Sequence, residues 1–235
     1  MKRFFWLDIE TSSLCNRRCS TCIRNSNPAR EEVADWFDQN LMPMETIQAI
    51  LDQAAAMGFH GRLILSHFNE PLMDPRIVEI AKLAKSYGLF NVAAVTNGDF
   101  LSEQLAAQLD LYLDRLIVSL YLSNGRKRES RKRWILSLFK QTAVQVKGYH
   151  EVVHWHPGAT DKSSEPCLHM ARLIINHRGQ YLLCCDDMIG HFDLGTFPET
   201  SLLDYWYGDT RGKIVAELSA EGGRKNYPYC MACPR

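Results

Sequence analysis

Cys15, Cys19 and Cys22 stand in the segment TSSLCNRRCSTCIRN, spaced C-x3-C-x2-C directly after the apolar, strand-like stretch FFWLDIE. Three thiolates on one short loop can hold three irons of a four-iron cubane and leave the fourth iron open. An open coordination position separates a reactive metal centre from a closed structural one. The same spacing with one further ligand also suits zinc, and clustered thiols can be oxidised to disulfides. The start MKRFFWLDIETSS has neither a long apolar core nor a small-residue cleavage site, so it does not read as a secretory signal. The expectation is therefore a reducing, cytoplasmic location. There the eight cysteines serve as metal ligands or reactive thiols rather than as staples.

The 235 residues can bury a sizeable core, enough for one catalytic domain and a small appendage. Lys plus Arg (27) balance Asp plus Glu (27), so no global field draws the chain to nucleic acid or to a membrane surface. No apolar run approaches the roughly 20 residues of a spanning helix. The one local charge run, Arg126-Lys127-Arg128-Glu129-Ser130-Arg131-Lys132-Arg133, reads as the solvated start of a helix, with phosphate or partner docking as the alternative.

These chemical residues need elements to hold them, and the chain alternates strands with helices. Residues 4 to 9 read as a strand. A helix from Met44 to Met57 carries Ile47, Ile50, Leu51 and Ala54 on one face and stops at Gly58. Leu63 to Ser66 reads as a strand. Asp74 and Pro75 open a helix through Ile77, Ile80, Ala81 and Ala84 to Gly88. Phe90 to Thr96 is the next strand, and Ser102 caps a helix to Leu109. Arg115 to Leu120 reads as a strand, Lys132 to Gln141 as a helix, and Ala143 to Lys147 or Glu151 to Trp155 as the strand after it. Such alternation predicts an α/β fold with a parallel sheet, a full barrel or a partial TIM-like barrel of roughly five or six β-α units.

After Trp155 a polar, proline-containing linker begins. The expected division is a catalytic barrel over 1–156 and a second unit over 157–235, which holds Cys167, Cys184, Cys185, Cys230 and Cys233. Leu173 to Asn176 and Gln180 to Cys184 flank a turn at Arg178-Gly179 and predict a β-hairpin, and Leu202 to Tyr207 and Lys213 to Leu218 predict short helices. A unit this small has little core of its own, and a cluster held by four thiolates would supply folding energy.

At these residues the chain resembles the radical S-adenosylmethionine (SAM) enzymes. The cysteine loop follows the first strand. Asn69-Glu70-Pro71-Leu72 ends the second where that family has Gly-Glu-Pro, Thr96-Asn97-Gly98 ends the third, and Val118-Ser119 ends the fourth. The segments Cys167-x11-Gly179-x4-Cys184 and Cys230-x2-Cys233, with Leu202-Leu203-Asp204-Tyr205-Trp206, resemble the Twitch module, a truncated SPASM extension that binds one auxiliary cluster. The whole chain is similar to the short aminoglycoside-pathway enzymes typified by 2-deoxy-scyllo-inosamine dehydrogenase, including Thr96-Asn97-Gly98-Asp99-Phe100-Leu101. Two departures stand out: Thr21 replaces the usual aromatic residue before the third cysteine, and Asn69 replaces the glycine of Gly-Glu-Pro.

The resemblance implies two 4Fe-4S clusters and SAM. Cys15, Cys19 and Cys22 would hold the SAM cluster, and Cys167, Cys184, Cys230 and Cys233 the auxiliary one. Asn69 and Glu70, with Pro71, would hold the SAM amino group, and Thr96, Asn97 and Ser119 its carboxylate and ribose. The cleaved cofactor would abstract a hydrogen atom from a carbinol carbon of a carbohydrate or aminocyclitol, and a flavodoxin-type protein would supply the electron. The chemistry belongs to the cofactor, while the protein chooses the carbon.

Seven of the eight cysteines are then used, and Cys185 is left over. On an extended segment Cys184 and Cys185 would point to opposite faces. Cys185 would then be either a buried inert thiol or the donor that returns a hydrogen atom and inverts the centre. The leading expectation is such an epimerase in antibiotic biosynthesis. The alternative is a dehydrogenase that needs a base, with Glu10, His67, His154, His156, Asp186 and Asp187 as candidate substrate contacts. A peptide-modifying enzyme is a third reading, and nothing ahead of the first strand is long enough to bind a leader peptide.

Overall fold

A computed structural model describes residues 4–19, 22, 24, 39–88, 90–148, 162–187, 190–231 and 233. Its strands are β1 (Trp6–Ile9), β2 (Arg62–Ile64), β3 (Asn91–Thr96), β4 (Arg115–Ser119), β5 (Ala143–Lys147), β6 (Arg172–Ile175) and β7 (Tyr181–Leu182). Between them run α1 (Met44–Ala56), α2 (Ile77–Ser86), α3 (Glu103–Leu109) and α4 (Gly125–Leu138); α5 (Leu202–Tyr207), α6 (Asp209–Leu218) and α7 (Pro228–Met231) follow. The strands form one seven-stranded sheet in the order β5-β4-β3-β2-β1-β6-β7. All neighbours are parallel except β6 and β7, as expected for β-α units curled into a partial barrel.

Register and pleat divide the sheet's faces. Leu7 pairs with Leu63 and Leu173, and Leu116 with Ala94. All are fully buried on the outer face with Ile9, Val92 and Val118, against Ile47, Ile50 and Leu51 of α1 and Ile80 and Ala84 of α2. The inner face carries Asp8, Arg62, Arg115 and Arg172 at the alternate positions. Buried Ile64, Ala93 and Ile174 share that face, and the three arginines stand at the starts of their strands, away from the C-terminal mouth.

Local signals explain most boundaries. Ser102 Oγ accepts the Leu105 amide and starts α3. α1 ends before Gly58, whose φ is +68°. Three helices begin elsewhere than expected, α6 among them, at Asp209 rather than Lys213. Asp74 Oδ1 accepts the Arg76 amide while its carboxylate grips the Arg76 guanidinium, and this local turn delays α2 to Ile77. Asn124 caps α4 through the Lys127 amide, so the charge run lies within the helix, with only Ile135 buried. The strand after α4 is Ala143–Lys147; Glu151 to Trp155 falls outside the described residues.

The predicted hairpin forms, and it extends the barrel sheet: Trp6, Leu7, Asp8 and Ile9 pair with Arg172, Leu173, Ile174 and Ile175. The segment beyond it packs back onto the same sheet. Tyr205 stacks on Tyr181 at 4.1 Å and donates to the Leu182 carbonyl at 2.9 Å, and the Arg211 guanidinium lies 3.7 Å from the Trp206 ring centre.

Candidate functional site

The three N-terminal cysteines leave the C-terminal end of β1, the end of a parallel barrel where loops assemble chemistry. The Cys22 amide donates to the Cys19 carbonyl at 3.0 Å and closes a turn. All three thiols are half-buried, and burial pushes Cys22 up to about 11, with the charges of Cys15 and Cys19 adding to it. A proton-bearing thiol here becomes a ligand only when a metal displaces the proton. Two guanidiniums act on the loop. Arg24 bridges the Ser13 and Phe68 carbonyls, both at 3.1 Å, and its charge bears on Cys15 and Cys22, while that of Arg17 bears on Cys19.

Among the described residues no three His, Cys, Asp or Glu side chains stand at the spacing of a single-ion site. An all-sulfur donor set beside two cations fits an anionic iron-sulfur cluster.

Next to the cysteine loop, the β2 and β3 ends are tied together. Glu70 Oε1 accepts the Leu72 amide at 3.0 Å and the Thr96 hydroxyl at 2.5 Å, and Oε2 accepts the Asn97 amide at 2.7 Å. Burial raises the Glu70 pKa despite these donors. The Thr96 hydroxyl also accepts the Gly98 amide, so its proton and a lone pair are committed inside the protein. Its oxygen shapes the Thr96-Asn97-Gly98 turn. Asn69 Oδ1 accepts the His67 amide and Asn69 Nδ2 faces Ser12 Oγ at 3.4 Å, so this residue braces its own loop in place of the usual glycine. Pro71 opens a 3₁₀ turn behind Glu70, and Ser119 ends β4 half-buried. Asn97 Nδ2 donates to Asn16 Oδ1 at 2.8 Å and so reaches the cysteine loop.

Sequence reasoning missed what holds that loop. Asp99, just past the Thr96-Asn97-Gly98 turn, accepts from Arg17 and Asn16. Its place within the quoted Thr-Asn-Gly-Asp-Phe-Leu stretch was visible; its partner, 82 residues away, was not.

On the inner face, Glu10 Oε1 accepts the Phe68 amide at 3.1 Å, and Oε2 faces His177 Nδ1 at 3.2 Å. Burial works against the Glu10 charge, but the His177 hydrogen bond and the fields of His67 and His177 bring the carboxyl below its ordinary value. His177 also escaped notice, although its place just past β6 was a signal of the kind used for Glu10. His67 follows Ser66 past β2, and burial lowers its pKa. Asp8, one layer below Glu10, pairs with Arg172 at 3.1 Å.

The other candidates separate. Asp187 is fully buried, and its carboxylate accepts the Leu183 and His191 amides at 3.0 and 2.9 Å, with His191 Nδ1 at 3.3 Å. Its carboxylate organises the turn after β7. Asp186 acts on His67 through its charge. His154 and His156 lie outside the described residues.

Of the later cysteines, burial pushes Cys230 up to about 12, with the charges of Cys167 and Cys233 next in effect. Cys184 is also pushed up by burial, and Asp187 acts on both Cys184 and Cys230. Cys184 and Cys185 do not lie on an extended segment. The Asp187 amide donates to the Cys184 carbonyl at 3.2 Å, which makes Cys184 to Asp187 a turn, and strand alternation does not sort the two thiols. Cys185 Sγ lies 3.7 Å from Asp186 Oδ2.

A parallel partial barrel with a C-x3-C-x2-C loop at its C-terminal mouth defines a class. Residues 9–137 match the Radical SAM superfamily, and the chain belongs to that superfamily, whose members use SAM and a 4Fe-4S cluster. Among its relatives, the S-adenosyl-L-methionine-dependent 2-deoxy-scyllo-inosamine dehydrogenase of Niallia circulans is 23% identical, over 99% of this chain and 93% of that protein. The GTP 3',8-cyclase of Chlorobaculum tepidum is 33% identical over 49% of this chain, which spans 32% of that enzyme. In fold, the crystal structure of BtrN in complex with AdoMet and 2-DOIA matches with a TM-score of 0.82 at 22% identity, covering 100% of this chain and 94% of that one. Native anSMEcpe with bound AdoMet matches at 0.68 and 12% identity, over 97% and 88%. No helix among the described residues is long and apolar enough to cross a membrane.

Proposed function

We propose that the protein is a radical SAM dehydrogenase that oxidises a secondary alcohol of an aminocyclitol to a ketone in an aminoglycoside pathway. The supporting observation is end-to-end likeness to a 2-deoxy-scyllo-inosamine dehydrogenase, which includes the C-terminal segment and not only the barrel. The polar inner face, with Asp8, Glu10, Arg172 and His67, suits a substrate rich in hydroxyl and amino groups.

In this reading Cys15, Cys19 and Cys22 hold the SAM cluster. Glu70 offers the remaining lone pair of Oε2, and Asn69, Asn97 and Ser119 line the mouth. Bound SAM and its cluster supply the carbon centre that takes the substrate hydrogen. The inner face orients the alcohol, excludes water and accepts the hydroxyl proton. Residues 157–235 form the auxiliary unit, with Cys167, Cys184, Cys230 and Cys233 as ligands of a second 4Fe-4S cluster. A flavodoxin-type protein delivers the electron in the cytoplasm, a location in keeping with eight cysteines read as metal ligands or reactive thiols.

The dehydrogenase reading displaces the epimerase. The full-length relative is a dehydrogenase, and Cys185 shares a turn with Cys184 rather than facing opposite it along a strand.

The test is anaerobic turnover of reconstituted protein with 2-deoxy-scyllo-inosamine deuterated at its carbinol carbons. The expected result is a ketone, with deuterium recovered in 5′-deoxyadenosine. An inverted alcohol carrying solvent hydrogen, or SAM cleavage that never takes substrate deuterium, overturns the reading.

A further inference from the structure

Among the described residues, His67 Nε2 and Asp8 Oδ1 are buried on the inner face without a hydrogen-bond partner, as is Arg115 Nε at the start of β4. The first two belong to neighbouring strands. β1 and β2 pair in parallel, with Asp8 opposite Ile64, and His67 stands three residues beyond that pair towards the barrel mouth. A buried group left unpaired costs free energy comparable to a lost hydrogen bond, so two such acceptors close enough to act on each other through charge mark a place for a ligand's donors.

The surroundings of His67 suit a proton acceptor. Asp8 and Glu10 from β1, Arg172 from β6 and Asp186 from the turn after β7 act on the imidazole through their charges. Burial favours the neutral ring at rest, the form with a nitrogen lone pair to offer. The three carboxylates then stabilise the imidazolium once a proton arrives, against the single opposing charge of Arg172. The Phe68 ring packs edge-on against the imidazole at 4.2 Å and fixes its orientation.

We propose that His67 Nε2 accepts the hydroxyl proton of the substrate carbinol, while Asp8 Oδ1 receives a neighbouring hydroxyl or amino group. The proposal rests on the dehydrogenase reading. The O–H and C–H bonds break as the C=O double bond forms. The proton goes to Nε2, the hydrogen atom to the adenosyl carbon from SAM, and the remaining electron to an oxidised four-iron cluster.

The test has two arms. In the first, nitrogen-15 NMR of histidine-labelled protein reports the His67 tautomer and titration without any turnover. Nε2 is expected bare, with the ring titrating below the ordinary histidine range and lower still in Asp8→Asn; a protonated Nε2 in the neutral ring, or no response to Asp8→Asn, overturns the proposal. In the second arm, His67→Gln should bind 2-deoxy-scyllo-inosamine by calorimetry yet form ketone about 100-fold more slowly, and lose the acid limb of the kcat profile. Ketone formation within about threefold of wild type overturns the proposal and leaves the dehydrogenase reading standing. Should His67→Gln fail to fold, Asp8→Asn decides, because loss of its charge must move that acid limb to lower pH. A wild-type protein that makes no ketone at all refutes the dehydrogenase reading instead, and the NMR arm still decides whether Nε2 is an acceptor.

Discussion

Arg17 and Asp99 form a two-pronged ion pair, with Arg17 Nε on Oδ2 and Nη2 on Oδ1, both at 2.6 Å. Asn16 adds a third donor at 2.8 Å. Arg17 sits between the first two cysteines of the loop and Asp99 follows the β3 turn, so a rigid strand end grips the loop that must present its thiols in register. A planar guanidinium on a carboxylate is the most orienting ion pair available to a protein.

Asp99→Ala should therefore affect iron more than stability. Both side chains are about one-third exposed, and such pairs contribute ~1 kcal/mol or less. Reconstituted variant protein is expected to lose iron on gel filtration faster than wild type, with a nearly unchanged Tm. Burial raises the Asp99 carboxyl, but Arg17 and Asn16 bring it below its ordinary value on balance. Its contribution is thus present above pH 3.8 and is lost as pH falls through the lowered folded value.

Glu10 should behave differently, since it is buried and ties the loop after β2 to the end of β6. Glu10→Gln removes the charge that faces His177 and places an amide where amides already donate. A loss of about 2–3 kcal/mol is expected in urea unfolding. Glu10 has a folded pKa below the ordinary 4.5, so wild-type stability should decline as pH falls through that lowered value, and the variant should lack this acid limb.

Gly98→Ala tests the turn that carries Asp99. Gly98 has φ +73°, and a Cβ there would stand 2.8 Å from Val118 Cγ1, a core atom on β4. The left-handed conformation costs ~1–2 kcal/mol for an alanine, and Val118 must shift as well. A drop of about 2 kcal/mol or more is expected by urea unfolding. Gly125→Ala, at the solvated start of α4 with open space around it, should leave stability nearly unchanged.

How far these features were legible follows from the range of the interactions. Ser102 and the α5 boundaries came from capping and periodicity within a few residues. The α4 start was hidden because its first turns are almost wholly charged, with no apolar stripe to count. The hairpin was visible from its turn, but its union with β1 depends on a partner more than 160 residues away. The same limit separates the acidic candidates. Glu10, Glu70, Asp99 and Asp187 look alike in sequence, and only the folded chain assigns each its donors.

The Cys184–Asp187 turn leads to the remaining prediction. With Cys184 as an auxiliary ligand, Cys184→Ala should reduce reconstituted iron from about eight per chain to about four, while Cys185→Ala keeps the full count. The Asp187 carboxylate holds the Leu183 and His191 amides around that turn. Asp187→Asn keeps the shape but must set an NH2 against an amide donor, so it should loosen the same cluster without touching the first. Iron analysis with paramagnetic resonance of the reduced proteins separates the two centres. Auxiliary-cluster loss in Cys185→Ala, with retention in Cys184→Ala, would reverse the assignment. It would also return Cys184 to consideration as the spare thiol, the group on which inversion of the substrate would depend.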